Sequence, residues 1–172
     1  MRKRSFVRLF APVLAMSLAT LAFGGQPRQK DSIKAPSIEG TYKLVSRKLP
    51  DGTVVKPPDV MGLQTFTKNY RNFNVIWHDA NGKHFAFSVA STYKLTATEY
   101  TETMLFSIMK DEIGGKEDVY SMSSQTKSAP VKMADGRIEF KLPFDPPSAV
   151  FEGNKITATA EGLFTDYWER VK

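Results

Sequence analysis

The chain of 172 residues contains no cysteine and only two histidines, and it lacks the short signatures of the common enzyme classes. Without cysteine it can form no disulfide, so its stability has to come from a packed core. It has no Gly-x-Ser-x-Gly segment and no His-Glu-x-x-His segment, so the usual serine-nucleophile and zinc-hydrolase patterns are missing. The sequence therefore gives little support to catalysis and predicts no cofactor.

The first 24 residues are typical of a secretory signal peptide. Four basic residues accompany an apolar run from Leu9 to Leu21, and Ala22-Phe23-Gly24 supplies small residues at the two cleavage positions. We predict cleavage after Gly24, with cleavage after Ala22 as an alternative. An uncleaved membrane anchor is a further interpretation, but the run is shorter than the ~20 residues of a spanning helix. The segment predicts a periplasmic or secreted protein with no membrane span after cleavage.

The basic character of the chain belongs largely to this segment. The formal net charge is +6 and the sequence pI is about 9.5, but removal of residues 1–24 leaves a charge of only +2. This removes the main support for nucleic-acid binding. The remaining 148 residues suffice for one domain, because a chain of that size buries about 68–70% of its unfolded surface.

Residues 25–37 differ from the rest of the chain. They are polar, contain two prolines and show no hydrophobic period, which predicts a flexible N-terminal segment. Residues 38–172 contain short alternating runs at hairpin spacing, separated by turn residues. We expect eight to ten strands and no long helix. The predicted fold class is all-β, an antiparallel up-and-down barrel, with a sandwich as the alternative.

One stretch of this domain, residues 100–109, is ambiguous. Its apolar side chains fit one face of a helix as well as the alternation of a strand. Asp111 and Glu112 would oppose the dipole at the C-terminus of such a helix, so we prefer a strand. A polar loop is expected to follow from Lys110 to Asp118, with two glycines at its centre.

The segment from Asn72 to Val89 predicts a β-hairpin with one aromatic face. Asp79 and Gly82 suit a type I turn in which the glycine takes the left-handed conformation. In that register Phe73 lies opposite Val89, Val75 opposite Phe87 and Trp77 opposite Phe85, all on one face. A two-residue Asn81-Gly82 turn would place the two sets on opposite faces of the hairpin.

This face is either the packed interior of the barrel or the wall of a ligand site. A barrel of eight strands is just wide enough to be filled by side chains or to hold one small ligand. Binding of a small hydrophobic or amphipathic molecule is one predicted function, and a structural or interaction module with a self-filled core is the alternative. The candidate ligand-binding residues are Phe73, Trp77, Phe85, Phe87, Tyr93 and Tyr100.

The histidines and two glutamates are weaker candidates. The predicted register places His78 opposite His84, where they could share a metal, but a site needs three or four ligands. Glu99 and Glu102 flank Tyr100, yet on a strand their side chains face opposite ways. We interpret all four as solvated residues and predict neither a metal site nor an acid–base pair.

Three segments resemble bacterial lipocalin-like domains of the calycin type. The segments are Gly40 to Ser46, Tyr93 to Leu95 with Tyr100 to Glu102, and Tyr167 to Val171. The resemblance covers residues 38–172 and implies a barrel of eight or more strands whose interior can hold a small hydrophobic ligand.

The resemblance also implies how the barrel base closes. In that family the first strand usually carries Gly-x-Trp, and an arginine near the chain end packs across the tryptophan. Gly40 and Arg170 match this pattern, whereas Tyr42 stands in place of the tryptophan. A guanidinium can stack on a tyrosine ring as well, though less strongly. Gly40, Tyr42 and Arg170 are therefore expected to form the closing contact.

Overall fold

Every regular element in the described part of the chain is a β-strand. A computed structural model describes residues 36–172, so the predicted signal peptide and most of the predicted flexible segment lie outside the described residues. No helix occurs between residues 36 and 172, and the all-β prediction is confirmed. Accordingly, this range offers no helix able to cross a membrane.

Thirteen strands follow one another along the chain. They are β1 (Gly40–Lys48), β2 (Val54–Val55), β3 (Val60–Phe66), β4 (Tyr70–His78), β5 (His84–Leu95), β6 (Glu99–Asp111), β7 (Lys116–Met122), β8 (Thr126–Pro130), β9 (Lys132–Ala134), β10 (Arg137–Lys141), β11 (Ser148–Glu152), β12 (Lys155–Ala160) and β13 (Phe164–Arg170).

The strands form one antiparallel sheet in up-and-down order. The order across the sheet is β7-β6-β5-β4-β3-β1-β13-β12-β11-β10-β9. The first and last long strands, β1 and β13, therefore pair with each other. At the two ends of the order, β8 pairs with β6 and β9 pairs with β10, and only Val131 separates β8 from β9. The sheet consequently curls into the predicted up-and-down architecture, with more strands than predicted because short segments and irregularities interrupt it.

The β4–β5 hairpin has the predicted register. Phe73 pairs with Val89, Val75 with Phe87 and Trp77 with Phe85. Gly82 has a φ of +76°, and the Asp79 carboxylate accepts hydrogen bonds of 2.9 Å from the backbone N–H groups of Asn81 and Lys83. Turn chemistry fixes the register, and the register places the aromatic side chains on one face.

Residues 100–109 lie in β6, which confirms the strand interpretation. A bulge at Leu105 shifts the pairing, because Ser91 pairs with Met104 whereas Ala90 pairs with Phe106. Inward and outward positions exchange at such a bulge, and Phe106 and Ile108 are exposed as a result. The loop predicted from Lys110 to Asp118 is wrong at both ends, since β6 and β7 extend into it and leave only residues 112–115 between them.

Aromatic rings from different strands meet inside the curled sheet. The Phe66 ring on β3 meets the Phe151 ring on β11 edge to face at 5.4 Å, and Tyr42 meets Phe66 at 6.4 Å. Tyr100 on β6 stacks on Phe140 of β10 at 4.2 Å. The Phe66–Phe151 and Tyr100–Phe140 contacts join strands that are not neighbours in the sheet, and these rings fill this part of the interior. We name it the packed half, defined by Tyr42, Phe66, Tyr93, Tyr100 and Phe140.

Candidate ligand-binding cavity

The other part of the interior holds a cavity of about 280 Å³. We name this part of the interior the cavity half. Its walls come from the aromatic face of β4 and β5, from the β10–β11 loop at residues 142–147, and from strands β11 to β13. Its lining residues include Arg47, Phe73, Trp77, Phe85, Phe87, Asp145, Ala149, Ala158, Phe164, Asp166 and Trp168.

Four of the predicted ligand-binding residues form one wall of this cavity. Trp77 stacks on Phe85 at 4.1 Å with an interplanar angle of 24°, and Phe73 lies 6.1 Å from Phe87. Phe73 also contacts Trp168 of β13, with ring centroids 5.7 Å apart. All four side chains are half-buried, because the cavity leaves part of each ring uncovered.

The remaining two predicted residues, Tyr93 and Tyr100, do not line the cavity but belong to the packed half. Their rings stack at 5.6 Å, and the Tyr93 hydroxyl donates a hydrogen bond of 2.5 Å to the Thr67 carbonyl. Burial raises the pKa of Tyr93 to about 12, and burial followed by the nearby Glu102 carboxylate raises the pKa of Tyr100 well above its ordinary value. Both hydroxyls therefore stay neutral donors over the physiological pH range.

A buried ion pair forms part of the cavity wall. Arg47 donates two hydrogen bonds to the Asp166 carboxylate, at 2.7 and 2.8 Å. Its guanidinium lies 4.2 Å from the Trp77 ring and 4.0 Å from the Phe164 ring. Burial raises the pKa of Asp166 above its ordinary value, and the bonds from Arg47 oppose that change. The wall thus presents aromatic carbon around one paired charge.

A second buried charge cluster, Arg71, Glu102 and Asp145, lies where the two halves meet. Arg71 donates to Glu102 at 3.0 Å and to Asp145 at 2.5 Å. Glu102 also accepts a bond of 2.5 Å from Ser91. Burial opposes the charge of Arg71, but the two carboxylates raise its pKa above the ordinary value. Asp145 belongs to the cavity wall, so the cluster is in contact with the site.

The interpretation of Glu102 as a solvated residue is wrong. Its side chain is fully buried, whereas Glu99 is exposed. Glu102 lies two residues after Tyr100 on β6, so both side chains face the interior. Arg71 likewise shares a strand face with Phe73. Strand alternation with Tyr100 and Phe73 is the sequence signal that could have identified both buried charges.

Three buried polar atoms have no hydrogen-bond partner among residues 36–172. They are Arg71 Nε, Asp145 Oδ1 and Trp168 Nε1. Asp145 and Trp168 line the cavity, and one is an acceptor while the other is a donor. An unsatisfied buried polar group costs roughly 1–3 kcal/mol. Because both atoms are fully buried within the wall, they lower the stability of the wall and are not groups that a bound molecule can contact.

Gly40, Tyr42 and Arg170 meet at the other end of the interior. The Arg170 guanidinium lies 5.4 Å from the Tyr42 ring. It donates a bond of 3.0 Å to the Tyr42 hydroxyl and another to the Glu39 carbonyl. A Cβ on Gly40 would lie 2.8 Å from Arg170 Nε, so glycine permits the arginine to cross the strand. The three residues predicted for the closing contact therefore lie together, with tyrosine as the ring.

The two histidines lie outside the cavity, at the tip of the β4–β5 hairpin. His78 and His84 are cross-strand partners with ring centroids 6.0 Å apart. His78 contacts Asp59 at 3.3 Å, and His84 contacts Glu112 at 3.3 Å. The backbone N–H of His84, with help from Lys110, lowers the pKa of Glu112 to about 2. In residues 36–172 no three potential metal ligands of the His, Cys, Asp and Glu types come together.

Comparison with known proteins gives no identity. No family model matches the chain, and neither a curated protein nor a solved structure is similar to it. Because a fold by itself hosts many functions, the cavity and its side chains carry the functional inference.

Proposed function

We propose that this chain is an exported lipocalin-like protein, periplasmic or secreted, that binds one small hydrophobic or amphipathic molecule inside its barrel. The observation that supports the proposal is the cavity of about 280 Å³ behind the aromatic face of β4 and β5. Ligand sites are typically concave and mostly apolar, with a few polar groups that fix orientation. The wall of this cavity has that composition.

The size of the cavity limits the ligand. An apolar cavity of about 150 Å³ in another protein binds benzene. The cavity here is nearly twice as large, so it suits a fused two-ring compound or a single ring with a short chain. A long-chain lipid would exceed this volume.

The side chains of the wall suit an amphipathic molecule as well as a pure hydrocarbon. Charged side chains, Arg47, Asp145 and Asp166, line the cavity together with the aromatic rings. A ligand with an apolar ring and a polar group therefore matches the composition of the wall.

The lipocalin-like part of the proposal is supported by the closing contact. Arg170 crosses the Tyr42 ring and bonds its hydroxyl, as the resemblance implies for an arginine near the chain end. The meander of strands and the pairing of β1 with β13 are consistent with the same family.

Filling the cavity tests the proposal. Ala158 lines the cavity and is buried, so Ala158→Phe should occupy the ligand space. We expect isothermal titration calorimetry to show binding of 2-naphthol, a neutral two-ring probe, and at least tenfold weaker binding to the variant. Native mass spectrometry of the exported protein should also show extra mass that the variant lacks.

A matched control is available one position away on β12. Thr159→Phe adds the same ring to the exposed outer face of the strand, because neighbouring side chains alternate. It should bind 2-naphthol like the unmodified protein. Equal affinity of the Ala158→Phe variant and the unmodified protein would exclude the cavity as the binding site.

The exposed outer face of β6 and β7 favours a second function, a structural or interaction module. Phe106 pairs with Met122 and Ile108 with Tyr120. Met122 is 94% exposed and Tyr120 is 72% exposed. Contiguous exposed apolar side chains are typical of interaction surfaces. A protein that carries no extra mass and takes up no 2-naphthol would favour this function.

A further inference from the structure

We infer that the molecule bound in the cavity carries a neutral amide, as a lactam or a primary amide, whose N–H and C=O groups pair with the side chain of Gln64. The inference rests on the proposed function and names the chemical class of its ligand. It depends on the position of Gln64 in the cavity wall and on the absence of partners for its amide.

Gln64 is a polar side chain on the inner face of the sheet. It lies on β3 between its cross-strand partners, Tyr42 of β1 and Phe73 of β4. Because side chains alternate along a strand, Leu63 and Thr65 belong to the outer face and Gln64 to the inner face. Gln64 is 4% exposed and lines the cavity. The strand therefore directs one uncharged amide toward the cavity, next to the packed half.

The amide of Gln64 has no hydrogen-bond partner among residues 36–172. The side-chain hydrogen bonds of the interior engage the buried ion pairs, Ser91 and the tyrosines, and none of them involves Gln64. Buried amides are normally hydrogen-bonded, because they lose their bonds to water on folding. Gln64 is thus a nearly buried polar side chain whose hydrogen-bonding capacity is unused.

Both polar atoms of this amide remain accessible. Three buried atoms lack both a partner and accessible surface, and they belong to Arg71, Asp145 and Trp168. Oε1 and Nε2 of Gln64 also lack a partner but are not among these three atoms, so each keeps some accessible surface. Because the side chain is on the inner face and lines the cavity, that surface opens into the cavity. A bound molecule can therefore contact the amide.

A second amide is the group that matches these two atoms. Oε1 accepts a hydrogen bond and Nε2 donates one, side by side. A carboxylate would leave Oε1 without a donor, and an ammonium group would leave Nε2 without an acceptor. A hydroxyl has a single oxygen and does not reach both atoms with good geometry. A lactam or primary amide presents N–H beside C=O and satisfies both atoms, whichever way the glutamine amide is oriented.

A lactam and its N-methyl derivative test this match. 2-Quinolinone is a neutral fused two-ring lactam, and N-methyl-2-quinolinone keeps its carbonyl and ring system but has no N–H. Titration calorimetry at pH 7 should show 2-quinolinone binding at least about tenfold more tightly than the N-methyl derivative. This factor corresponds to one lost hydrogen bond and the unpaired Oε1 that it leaves.

The variant Gln64→Met removes the amide and keeps a side chain of similar length. The preference for 2-quinolinone over its N-methyl derivative should fall to about twofold or less. The affinity for 2-naphthol should stay within about threefold of that of the unmodified protein, since its ring contacts remain. Gln125→Met is the matched control, because Gln125 is exposed between β7 and β8. It should keep the full preference.

The outcomes separate the two proposals. Equal binding of 2-quinolinone and its N-methyl derivative to the unmodified protein would overturn the amide inference and leave the cavity function standing. A preference that persists in Gln64→Met would also overturn it, since the size of the methyl group would then be the cause. Failure of both lactams and of 2-naphthol to bind would overturn both proposals.

A comparison within the unmodified protein replaces the variant if Gln64→Met does not fold. 2-Quinolinone and 2-naphthol have nearly the same size, and only the lactam presents N–H beside C=O. 2-Quinolinone should bind at least about fivefold more tightly, which corresponds to one additional hydrogen bond. Equal or weaker binding of the lactam would overturn the amide inference.

Discussion

The packed half and the cavity half of the interior are both rich in aromatic residues, yet one is filled and the other is not. In the packed half the rings come from strands on both sides, as with Tyr100 of β6 and Phe140 of β10. In the cavity half Trp77 and Phe85 stack on each other within one hairpin. The number of rings therefore does not decide whether a barrel is filled.

The size of the side chains on the wall formed by β11 and β12 decides whether this half of the interior is filled. β11 and β12 contribute Ala149 and Ala158 to the cavity, and these two alanines are cross-strand partners. A methyl group cannot reach the rings of β4 and β5 as Phe140 reaches Tyr100. The comparison shows that a cross-strand pair of small side chains facing a pair of large side chains leaves space. Two facing pairs of large side chains fill that space.

The largest expected effect concerns the charge cluster where the halves meet. Arg71→Met should lower the free energy of unfolding by about 3–5 kcal/mol, because it leaves the Glu102 and Asp145 carboxylates buried without their guanidinium. Urea denaturation at pH 7 measures this loss.

The control for this prediction is an arginine on the surface. Arg137→Met removes an exposed ion pair of 3.1 Å with Glu152, which should cost no more than about 1 kcal/mol. Similar losses for both variants would mean that the buried cluster contributes no more than a surface pair.

A pair of phenylalanine truncations compares the two halves directly. Phe140→Ala should cost about 3–5 kcal/mol, because its ring is buried and stacks on Tyr100 and Phe151. Phe87→Ala should cost roughly half as much, since the half-buried Phe87 ring already borders the cavity and has fewer contacts to lose.

For ligand binding, we expect the larger effect from Phe87→Ala and the smaller effect from Phe140→Ala. Phe87→Ala changes the cavity wall and should weaken 2-naphthol binding, whereas Phe140→Ala should leave it unchanged. Urea denaturation and titration calorimetry on the same samples measure the two quantities. A larger stability loss for Phe87→Ala would contradict the division of the interior into two halves.

The sequence predicted those parts of the fold that local chemistry determines. Asp79 and Gly82 define the β4–β5 turn, and the turn sets the face of every side chain in the hairpin. Four of the six predicted ligand-binding residues line the cavity for this reason. Tyr93 follows Phe87 on the same face of β5, but nearer to the other end, and alternation alone does not show where a cavity stops.

The buried charges show why the rest of the site was not predicted. Arg71 and Glu102 could have been found from strand alternation. Arg47 could not, because a bulge between Leu44 and Ser46 changes which side chains of β1 face inward. Asp145 lies in a loop without a period, and only the curling of the sheet brings it to Arg71. Bulges and loops depend on tertiary contacts that a single sequence does not display.

The smallest expected effect concerns the tyrosines of the packed half. It appears only at alkaline pH. Both keep their protons in the folded protein, since the pKa of Tyr93 is raised to about 12 and that of Tyr100 is raised well above its ordinary value of 10. In the unfolded chain both would ionise near pH 10. Their contribution to stability is therefore complete below pH 10 and is lost as the pH rises toward and beyond 12.

Tyr100→Phe isolates one of these contributions. For each such tyrosine the free energy of unfolding should fall by about 1.4 kcal/mol per pH unit between the unfolded and folded pKa values. In the variant the slope measured by urea denaturation from pH 10 to pH 12 should be shallower by that amount. Tyr120→Phe, at an exposed position of β7, should keep the original slope. Ultraviolet titration should likewise show late ionisation of Tyr93 and Tyr100. Ionisation of both near pH 10 would place their hydroxyls in contact with water rather than in a packed interior.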